Sequence, residues 1–470
     1  MSKPTPLSGF PEFLPSQRIV EQEVIDRLRT VFELHGFAGI ETRAAEPMAE
    51  LLRKGEIDKE VYVVRRLHGE PGSDADGVSG DTLGLHYDLT VPFARYVLEN
   101  SGKLDFPFRR YQIQKAWRGE RPQEGRFREF TQADIDIVGA GELAFHYDVE
   151  VATVMVTALS KLLELQIPPM RLQVNNRKLL EGFYLGLGAA DPHAVMRVVD
   201  KLDKVPAAVI ATMLQTDVGL DAEQAASCLA LAAISTTDAS FVAQVRALGV
   251  AHELLDTGLA ELAAVMTALA DLDAPNVSVT ADLRIARGLD YYTGTVFETQ
   301  MSGFEHLGSI CSGGRYDALA DDGRNVYPGV GISLGVSRIL VPLLSRGLLG
   351  ASRSVPSAVL VAVVSDETRA VSETVARALR SRGIPTEVAP AASRYGKQIR
   401  FAQRRGIPFV WFPPATPDTA ADSAPGGRAT DGGASAHQVR DIRSGDQVAA
   451  DPDSWSPPTD DLRPTVTAHL

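Results

Sequence analysis

The sequence predicts a chain of two differently built parts, an α+β part that runs to about residue 345 and an α/β part that begins after Ser354. Two observations support the first: an apolar–polar alternation that predicts a long β-hairpin over 108–138, and an Ala- and Leu-rich, mainly helical stretch over about 149–270. The second part alternates short apolar runs with amphipathic ones. That alternation is typical of a mostly parallel sheet between two helical layers.

The first part begins with a helix and continues with strands. Apolar residues recur at helical spacing from Val20 to Val31, so a helix is predicted over 16–35. A strand is predicted at 60–66. The acidic, glycine-rich segment that follows, Gly69–Asp81, is expected to be a surface loop.

Helices dominate the middle of the first part, and strands return towards its end. We expect a helical insert over about 170–272 within a domain that spans 1–345. Strand patterning resumes around 277–300 and 308–317, and near Gly335 a strand turns into a helix.

The second part, 354–450, is predicted to be a three-layer α/β domain. Its predicted elements alternate along the chain: strand Val359–Val364, helix Glu367–Arg382, strand Pro385–Val388, helix Gly396–Arg405, and strands Phe409–Phe412 and Gln438–Ile442. The insert 413–437 contains no Val, Ile, Leu, Met, Phe, Trp or Tyr, so it is expected to be flexible. A flexible tail is expected over 451–470.

Charge and cysteine content exclude several classes of protein. Sixty acidic and 47 basic residues give a net charge of −13, which argues against a protein that coats nucleic acid through bulk charge. Cys228 and Cys311 stand far apart, so neither a disulfide framework nor a thiolate zinc site is expected. No signal peptide and no run of about 18 apolar residues is found. We therefore expect a cytoplasmic protein without a membrane span.

The predicted hairpin over 108–138 carries the most chemical information. Residues 108–128 hold six Arg and one Lys against two Glu, and guanidinium groups bind phosphate oxygens bidentately. On the second arm, period-2 alternation places Gln132, Asp134 and Asp136 on one face, where a small cation could bind. A solvated edge hairpin with incidental charge pairs is the alternative, but carboxylates flanked by isoleucine are costly to bury without partners.

Several segments in order resemble one family. Arg118–Pro122 and Gly125–Phe130, followed by Gln132, resemble motif 2 of class II aminoacyl-tRNA synthetases in its histidyl version. The string RGLDYYTG, Arg287–Gly294, resembles a signature found in histidyl-tRNA synthetases and their close paralogues. Two further segments fit: Tyr87–Pro92 resembles the family's amino-group-binding turn, and Gly331–Arg338 resembles motif 3.

The resemblance implies a fold and an activity. The fold would be a class II synthetase-like α+β catalytic domain with an antiparallel sheet and a helical insert, followed by an α/β anticodon-binding domain. The activity would be that of a histidine–tRNA ligase, with histidine, ATP and tRNA(His) as substrates and a homodimer as the assembly. ATP implies Mg²⁺, whose ligands the sequence does not identify.

The resemblance also assigns residues to ATP. Arg118 would bind the α-phosphate and Arg338 the γ-phosphate, with Arg126 assisting and the Phe127 ring near the adenine. Arg287 would lie between the carboxylate of histidine and the α-phosphate, where it would stabilise developing charge.

The same resemblance assigns residues to the binding of histidine and of tRNA. Asp88, Thr90 and Gln132 would surround the α-ammonium group, while Asp136 and Tyr292 would bond the two imidazole nitrogens. Tyr291 joins this set, and Gly313–Asp317 resembles a second histidine-site segment. At the hairpin tip, Arg121 and Gln123 would meet the acceptor end of the tRNA.

Three positions depart from the family pattern. Arg43 stands where motif 1 usually carries proline, Ala318 where glycine is usual, and Ser337 where glutamate is usual. Arg43 puts the detail of the motif 1 dimer-interface strand in doubt, although none of the three carries a reacting group.

Two alternative functions stay open. One is a non-catalytic, histidyl-synthetase-like regulatory subunit of ATP phosphoribosyltransferase, which typically lacks the anticodon module. The other is a ligase for proline, threonine or glycine. A nicotinamide site is not expected, because Gly329, Gly331 and Gly335 form G-x-G-x-x-x-G, one residue longer than the dinucleotide fingerprint.

The second part also carries a basic helix. Arg394, Lys397, Arg400 and Arg404 fall at helical spacing, with Tyr395 and Phe401 nearby. Phosphate contact and base stacking supply most of the affinity for single-stranded RNA, so this helix fits an RNA surface, although a solvated helix face would carry the same charges.

Overall fold

A computed structural model of the chain describes residues 4–52, 60–66, 82–285, 291–414 and 436–469. By its internal contacts the chain divides into two compact units. One comprises Met1–Glu12 and Val24–Ser345, and the other comprises Phe13–Glu23 and Arg346–Leu470. Within the described ranges, no helix combines the length and the apolar character that crossing a bilayer requires.

The first unit contains the following elements. Its strands are β1 (Ala38–Gly39), β2 (Ala45–Pro47), β3 (Val63–Val64), β4 (Leu83–Leu85), β5 (Phe108–Trp117), β6 (Glu129–Val138), β7 (Met170–Asn176), β8 (Ser235–Thr236), β9 (Val277–Asp282), β10 (Tyr292–Met301), β11 (Cys311–Asp321) and β12 (Val326–Gly335). Its helices are α2 (Met48–Leu51), α3 (Thr90–Asn100), α4 (His146–Lys161), α5 (Arg177–Gly186), α6 (Pro192–Val199), α7 (Ala207–Thr216), α8 (Ala222–Ala232), α9 (Phe241–Ala247), α10 (Glu253–Ala270) and α11 (Val336–Ser345). Helix α1 (Pro15–Leu34) begins in the second unit and ends in the first.

A nine-stranded sheet organises the first unit, in the order β1-β5-β6-β12-β11-β10-β7-β9-β8. The predicted hairpin is confirmed, because β5 pairs antiparallel with β6 from Phe108↔Val138 to Trp117↔Glu129. The sheet is antiparallel from β5 to β7, as the resemblance implied. It is nevertheless mixed, because β1 runs parallel to β5 and β7 parallel to β9.

The helical insert starts later than predicted. The expected range of about 170–272 includes β7, which belongs to the main sheet, so the helices run from α5 to α10 instead. This long excursion is what allows β9 to return parallel to β7. Two glycines let α5 and α10 approach closely: a Cβ on Gly182 would lie 2.1 Å from the Leu255 nitrogen, and one on Gly258 2.2 Å from the Leu179 nitrogen.

The second unit contains a five-stranded sheet in the order β15-β14-β16-β17-β18. Its elements are β13 (Leu349–Ala351), β14 (Val359–Val361), α12 (Arg369–Ser381), β15 (Thr386–Val388), α13 (Tyr395–Arg405), β16 (Phe409–Phe412), β17 (Gln438–Asp441), β18 (Gln447–Ala449) and β19 (Val466–Ala468). The first three strands of the sheet are parallel, and β17 and β18 are antiparallel.

Strand β14 is covered on both faces. Val359 and Val361 pack with residues of α12, whereas Leu360 packs in a separate cluster with Ala402 of α13. Burial on both faces explains why this strand is continuously apolar rather than alternating.

The C-terminal segment differs from the expected flexible tail. Strand β19 pairs antiparallel with β13. The Trp455 ring lies edge-on to Phe409 at 5.4 Å and to Trp411 at 5.5 Å between ring centroids. These apolar contacts fix a segment whose Pro- and Asp-rich composition indicated flexibility. The central part of the predicted flexible insert, 415–435, lies outside the described residues, so its flexibility stays a prediction.

We predict that 415–435 can be replaced by a short Gly-Ser turn with a change in melting temperature below about 2 °C. The reason is that Phe412 and Gln438 are already paired across β16 and β17, so a tight turn can join them. Trp455→Ala serves as the contrasting variant, since the loss of a partly buried ring should lower the free energy of unfolding by at least about 1 kcal/mol. Thermal unfolding followed by circular dichroism measures both, and a large drop for the turn replacement would show that the insert packs.

Candidate active site

One cleft of the first unit brings together residues from motifs that are far apart in the sequence. The predicted site residues that line it are Asp88, Thr90, Arg118, Arg126, Phe127, Gln132, Tyr291, Tyr292 and Arg338. Asp136 is buried and does not line the cleft. Arg121 and Gln123 are exposed at the hairpin tip, also away from the cleft lining. Arg287 lies outside the described residues.

Arginine side chains dominate one end of the cleft. Arg118, Arg126 and Arg338 gather around a single carboxylate, Glu120. Arg126 Nη1 lies 3.0 Å from Glu120 Oε2, and Arg118 Nη1 lies 3.8 Å from Glu120 Oε1. Among the described residues, three guanidinium groups beside one carboxylate leave a local charge of +2. Such an excess of charge favours a bound polyanion.

Backbone carbonyls hold Arg338 in place. Its Nε donates to the Gly125 carbonyl oxygen at 2.8 Å, and its Nη1 donates to that of Ser309 at 2.6 Å. Burial, together with repulsion from Arg118 and Arg126, lowers the pKa of Arg338 to about 10. The group therefore remains charged at neutral pH, and an anion bound here would relieve the repulsion.

Arg118 is positioned where β5 ends. Its Nε donates to the Tyr87 carbonyl oxygen at 3.0 Å, and its guanidinium carbon lies 5.2 Å from the centroid of the Phe130 ring. These two contacts use one N–H group and one face of the guanidinium.

The polar face predicted for β6 is confirmed. Its residues are buried, and β12 is the neighbouring strand in the sheet. Gln132, Asp134 and Asp136 are opposite Gly335, Ser333 and Gly331 in the antiparallel register. A Cβ atom on Gly331 would lie 2.0 Å from Asp136 Oδ1. Gly331 therefore makes room for a carboxylate, which explains part of the glycine spacing in this strand.

Asp136 has two partners that the sequence reasoning did not assign. Arg110 Nη2 lies 2.6 Å from Asp136 Oδ2, and the Tyr316 hydroxyl donates to Asp136 Oδ1 at 2.9 Å. Arg110 is fully buried, and its guanidinium carbon lies 4.2 Å from the centroid of the Phe93 ring. Since Arg110 faces Asp136 across the hairpin, counting the register back from the tip would have found it.

A chain of hydrogen bonds links the other two polar residues of β6. Gln132 Nε2 donates to Ser333 Oγ at 2.6 Å, and the Ser333 hydroxyl donates to Asp134 Oδ1 at 2.5 Å. Burial raises the pKa of Asp134 to about 7, against the opposing effects of Arg110 and of the Ser333 hydrogen bond. Sequence reasoning did not single out Ser333, because its importance depends on which residue it faces across the sheet.

The remaining cleft residues provide hydroxyl groups and a carboxylate. Thr90 begins α3, and Asp88 Oδ1 accepts a hydrogen bond from the Val91 backbone N–H at 3.0 Å. The rings of Tyr291 and Tyr292 lie 4.6 Å apart. Burial, assisted by Asp88, raises the pKa of Tyr291 well above its usual value, so this phenol stays protonated and can donate.

One family model, that of histidyl-tRNA synthetase, matches residues 9–339, which include most of the first unit. An anticodon binding domain model matches residues 358–412. The chain belongs to the histidyl-tRNA synthetase family. It is thus an aminoacyl-tRNA synthetase, a ligase.

Relatives with known names cover the full chain. The histidine–tRNA ligase of Cutibacterium acnes is 60% identical over 467 residues, which are 99% of each chain. That of Micrococcus luteus is 58% identical over 475 residues, again 99% of each. A crystal structure of histidyl-tRNA synthetase from a Nostoc species is 32% identical with a TM-score of 0.80, and covers 96% of this chain and 98% of that one.

The regulatory-subunit alternative is not favoured. A Bacillus halodurans structure described as an ATP phosphoribosyltransferase regulatory subunit/histidyl-tRNA synthetase has a TM-score of 0.69 but is only 19% identical. That likeness concerns the fold alone. The close relatives that match nearly the whole chain, including the C-terminal unit, are ligases.

The three departures from the pattern of histidyl-tRNA synthetases have local explanations. Arg43 bonds Glu46 through its Nε at 3.0 Å and Glu99 through its Nη2 at 3.3 Å. The buried Ser337 hydroxyl accepts from the Thr131 backbone N–H at 2.8 Å. Ala318 lies where β11 loses its register with β12, and its backbone avoids the left-handed region, so no glycine is required.

The pKa of Asp134 predicts how stability depends on pH. Because burial raises this pKa to about 7, the folded state keeps a proton that the unfolded chain releases near pH 4. The contribution of Asp134 to stability should therefore fall as pH rises from 5 to 7, by at most about 1.4 kcal/mol per pH unit. The melting temperature of the wild type minus that of Asp134→Asn should therefore decrease from pH 5 to pH 7. A difference that does not vary with pH would contradict the raised pKa.

Proposed function

We propose that this chain is a histidine–tRNA ligase that activates histidine with ATP and transfers it to the 3′ end of tRNA(His). In the first step the histidine carboxylate attacks the α-phosphorus, histidyl-adenylate forms and pyrophosphate leaves. In the second, a ribose hydroxyl of the terminal adenosine attacks the acyl carbon and AMP leaves. Neither step needs a nucleophile from the protein. The observation that carries the proposal is that three guanidinium groups and Gln132, which belongs to the buried polar face of β6, line one cleft.

The arginine end of the cleft is the proposed ATP site. Arg118 would bind the α-phosphate and Arg338 the γ-phosphate, with Arg126 assisting at the phosphates and Phe127 beside the adenine. The local charge of +2 supports these roles, because the triphosphate would neutralise it. The backbone bonds of Arg338 support them too, since a preorganised donor needs little rearrangement when charge develops.

ATP is expected to arrive with Mg²⁺ as part of the substrate. In the described part of the chain, no group of three or more His, Cys, Asp or Glu side chains is arranged to hold a metal ion. Glu120, which lies beside Arg118 and Arg126, would be the carboxylate available to the metal at this end of the cleft. The phosphate oxygens and water would then provide most of the coordination of Mg²⁺.

The polar face is the proposed histidine site. Asp88, Thr90 and Gln132 would surround the α-ammonium group, and Tyr292 would bond one imidazole nitrogen. Because Tyr316 donates to Asp136, the carboxylate would act on the second nitrogen together with this phenol. Tyr291 would complete the wall of the pocket. A site of buried polar partners rejects amino acids that leave those partners unpaired.

The proposed tRNA contacts lie outside the cleft. Arg121 and Gln123 would meet the acceptor end, which their exposure at the hairpin tip permits. The basic residues of α13 would bind the anticodon loop. A homodimer acting in the cytoplasm completes the proposal, as expected for an enzyme that serves translation.

Histidine-dependent exchange of labelled pyrophosphate into ATP tests this function. We expect exchange with histidine and none above background with proline, threonine or glycine. No exchange with any of the four would support a non-catalytic regulator, and equal exchange with proline would contradict the roles of Asp136 and Tyr292. Charging of tRNA(His) transcript then tests the second step.

Arg287→Ala should depress adenylate formation much more than ATP binding. Its charge is proposed to act mainly on the transition state, so the single-turnover rate should fall by about 100-fold or more. Arg197→Ala, which removes an exposed arginine of α6, is the matched control and should change neither quantity. An unchanged single-turnover rate for Arg287→Ala would refute the assignment.

A further inference from the structure

The most informative feature that the proposed function leaves unused is the hydrogen-bond chain from Asp134 through Ser333 to Gln132. We propose that Asp134, acting through the Ser333 hydroxyl, fixes the side-chain amide of Gln132 so that its carbonyl oxygen faces the amino group of the substrate. Asp134 would thus be a positioning residue rather than a catalytic one. This inference rests on the proposed function, since it concerns how the same site recognises the ammonium group of histidine.

The direction of each hydrogen bond follows from the number of protons available. A serine hydroxyl has one proton, and here that proton is donated to Asp134 Oδ1 at 2.5 Å. Ser333 can then only accept from Gln132, so the group that contacts it at 2.6 Å must be the amide nitrogen. Above pH 7, where the Asp134 carboxyl group is mainly ionised, it therefore determines which end of the Gln132 amide points away from Ser333.

The carbonyl oxygen of the Gln132 amide is the hydrogen-bond acceptor that an ammonium ligand requires. Gln132 Oε1 is buried and has no hydrogen-bond partner among the described residues. An unsatisfied buried acceptor costs about 1–3 kcal/mol, and a substrate ammonium group would remove that cost with a charge-assisted bond. Gln132 and Ser333 both line the cleft, so the amide of Gln132 lies beside the space that a ligand would occupy.

The register of the sheet makes this arrangement specific. Asp134 faces Ser333 directly across β6 and β12, and Gln132 follows two residues away on the same face. Arg110 holds the Asp136 carboxylate at 2.6 Å and contacts only the backbone oxygen of Asp134, at 3.5 Å. The Asp134 carboxylate is thus left to orient the serine rather than to neutralise the arginine directly.

Two substitutions should disrupt the hydrogen-bond chain in different ways. In Asp134→Asn, the new amide can donate to Ser333, which frees the hydroxyl proton to bond Gln132 Oε1 and turns the Gln132 NH₂ towards the substrate cation. In Ser333→Ala, the link itself is removed and the Gln132 amide can rotate. Both variants leave every group that is proposed to touch the substrate in the protein.

Calorimetric titration of the full-length protein with three ligands, at about pH 8.5 where Asp134 is ionised, tests the proposal. Histidine carries an amino group, a carboxylate and an imidazole, histidinol lacks only the carboxylate, and 3-(imidazol-4-yl)propionate lacks only the amino group. Both variants should bind histidine and histidinol about 10-fold more weakly or worse, which corresponds to about 1.4 kcal/mol. Binding of the propionate should change less than about twofold, since it has no amino group to recognise. The double variant should lose no more than either single one.

Different outcomes separate the possible failures. Equal loss with all three ligands would show a merely structural role, and unchanged histidinol binding would show that the chain does not orient Gln132; either result overturns the inference. Asp271→Asn, an exposed change after α10, is the matched control and should leave all three titrations unchanged. If the wild-type protein bound histidine and supported exchange while the variants matched it, only this inference would fail. If the wild type did neither, the proposed function itself would fail.

Discussion

The pairing of β6 with β12 is the constraint on which the rest of the cleft depends. Its register places Asp136 opposite Gly331, Asp134 opposite Ser333 and Gln132 opposite Gly335. The two glycines leave space for the larger polar side chains, and the serine hydroxyl can bond to them. Because side chains alternate along a strand, a slip of one residue would turn the carboxylates into the apolar core and bring Ile135 and Ile137 to the cleft. The carboxylates themselves reinforce this register, since each has its partners in only one alignment.

Burial of two carboxyl groups on one face is tolerable because a guanidinium pairs with Asp136, and because burial raises the pKa of Asp134 to about 7, so that Asp134 readily takes up a proton. Arg110 is fully buried, pairs with Asp136 and stacks on Phe93, so the charge of Asp136 is compensated within the protein. At the other end of the cleft positive charge is in excess, because three arginines surround Glu120. The cleft thus has an end suited to a cation and an end suited to a polyanion. An amino acid whose carboxylate reacts with a triphosphate needs that division, because its ammonium group requires hydrogen-bond acceptors while its carboxylate must meet the phosphates.

Sequence patterns predicted the polar face of β6 and the strand–helix order of the second unit because both depend on local periodicity. The motif residues that line the cleft were also identified, although only by resemblance. Arg110 was not assigned, and Ser333 and Tyr316 were identified only as members of family segments, since the role of each depends on the residue it meets on another strand. The parallel return of β9 and the close crossing at Gly182 and Gly258 depend on long-range contacts. The C-terminal segment was predicted to be flexible because it is rich in Pro and Asp, yet the ring contacts of Trp455 and the pairing of β19 with β13 hold it within the second unit.

The most direct test of the central claim is a crystal structure of the protein with ATP and histidinol, which cannot react because it has no carboxylate. The account predicts phosphate oxygens within hydrogen-bonding distance of Arg118, Arg126 and Arg338, and the histidinol amino group within such a distance of Gln132 Oε1. Phosphates bound away from these arginines, or a histidinol amino group that points away from β6, would contradict it.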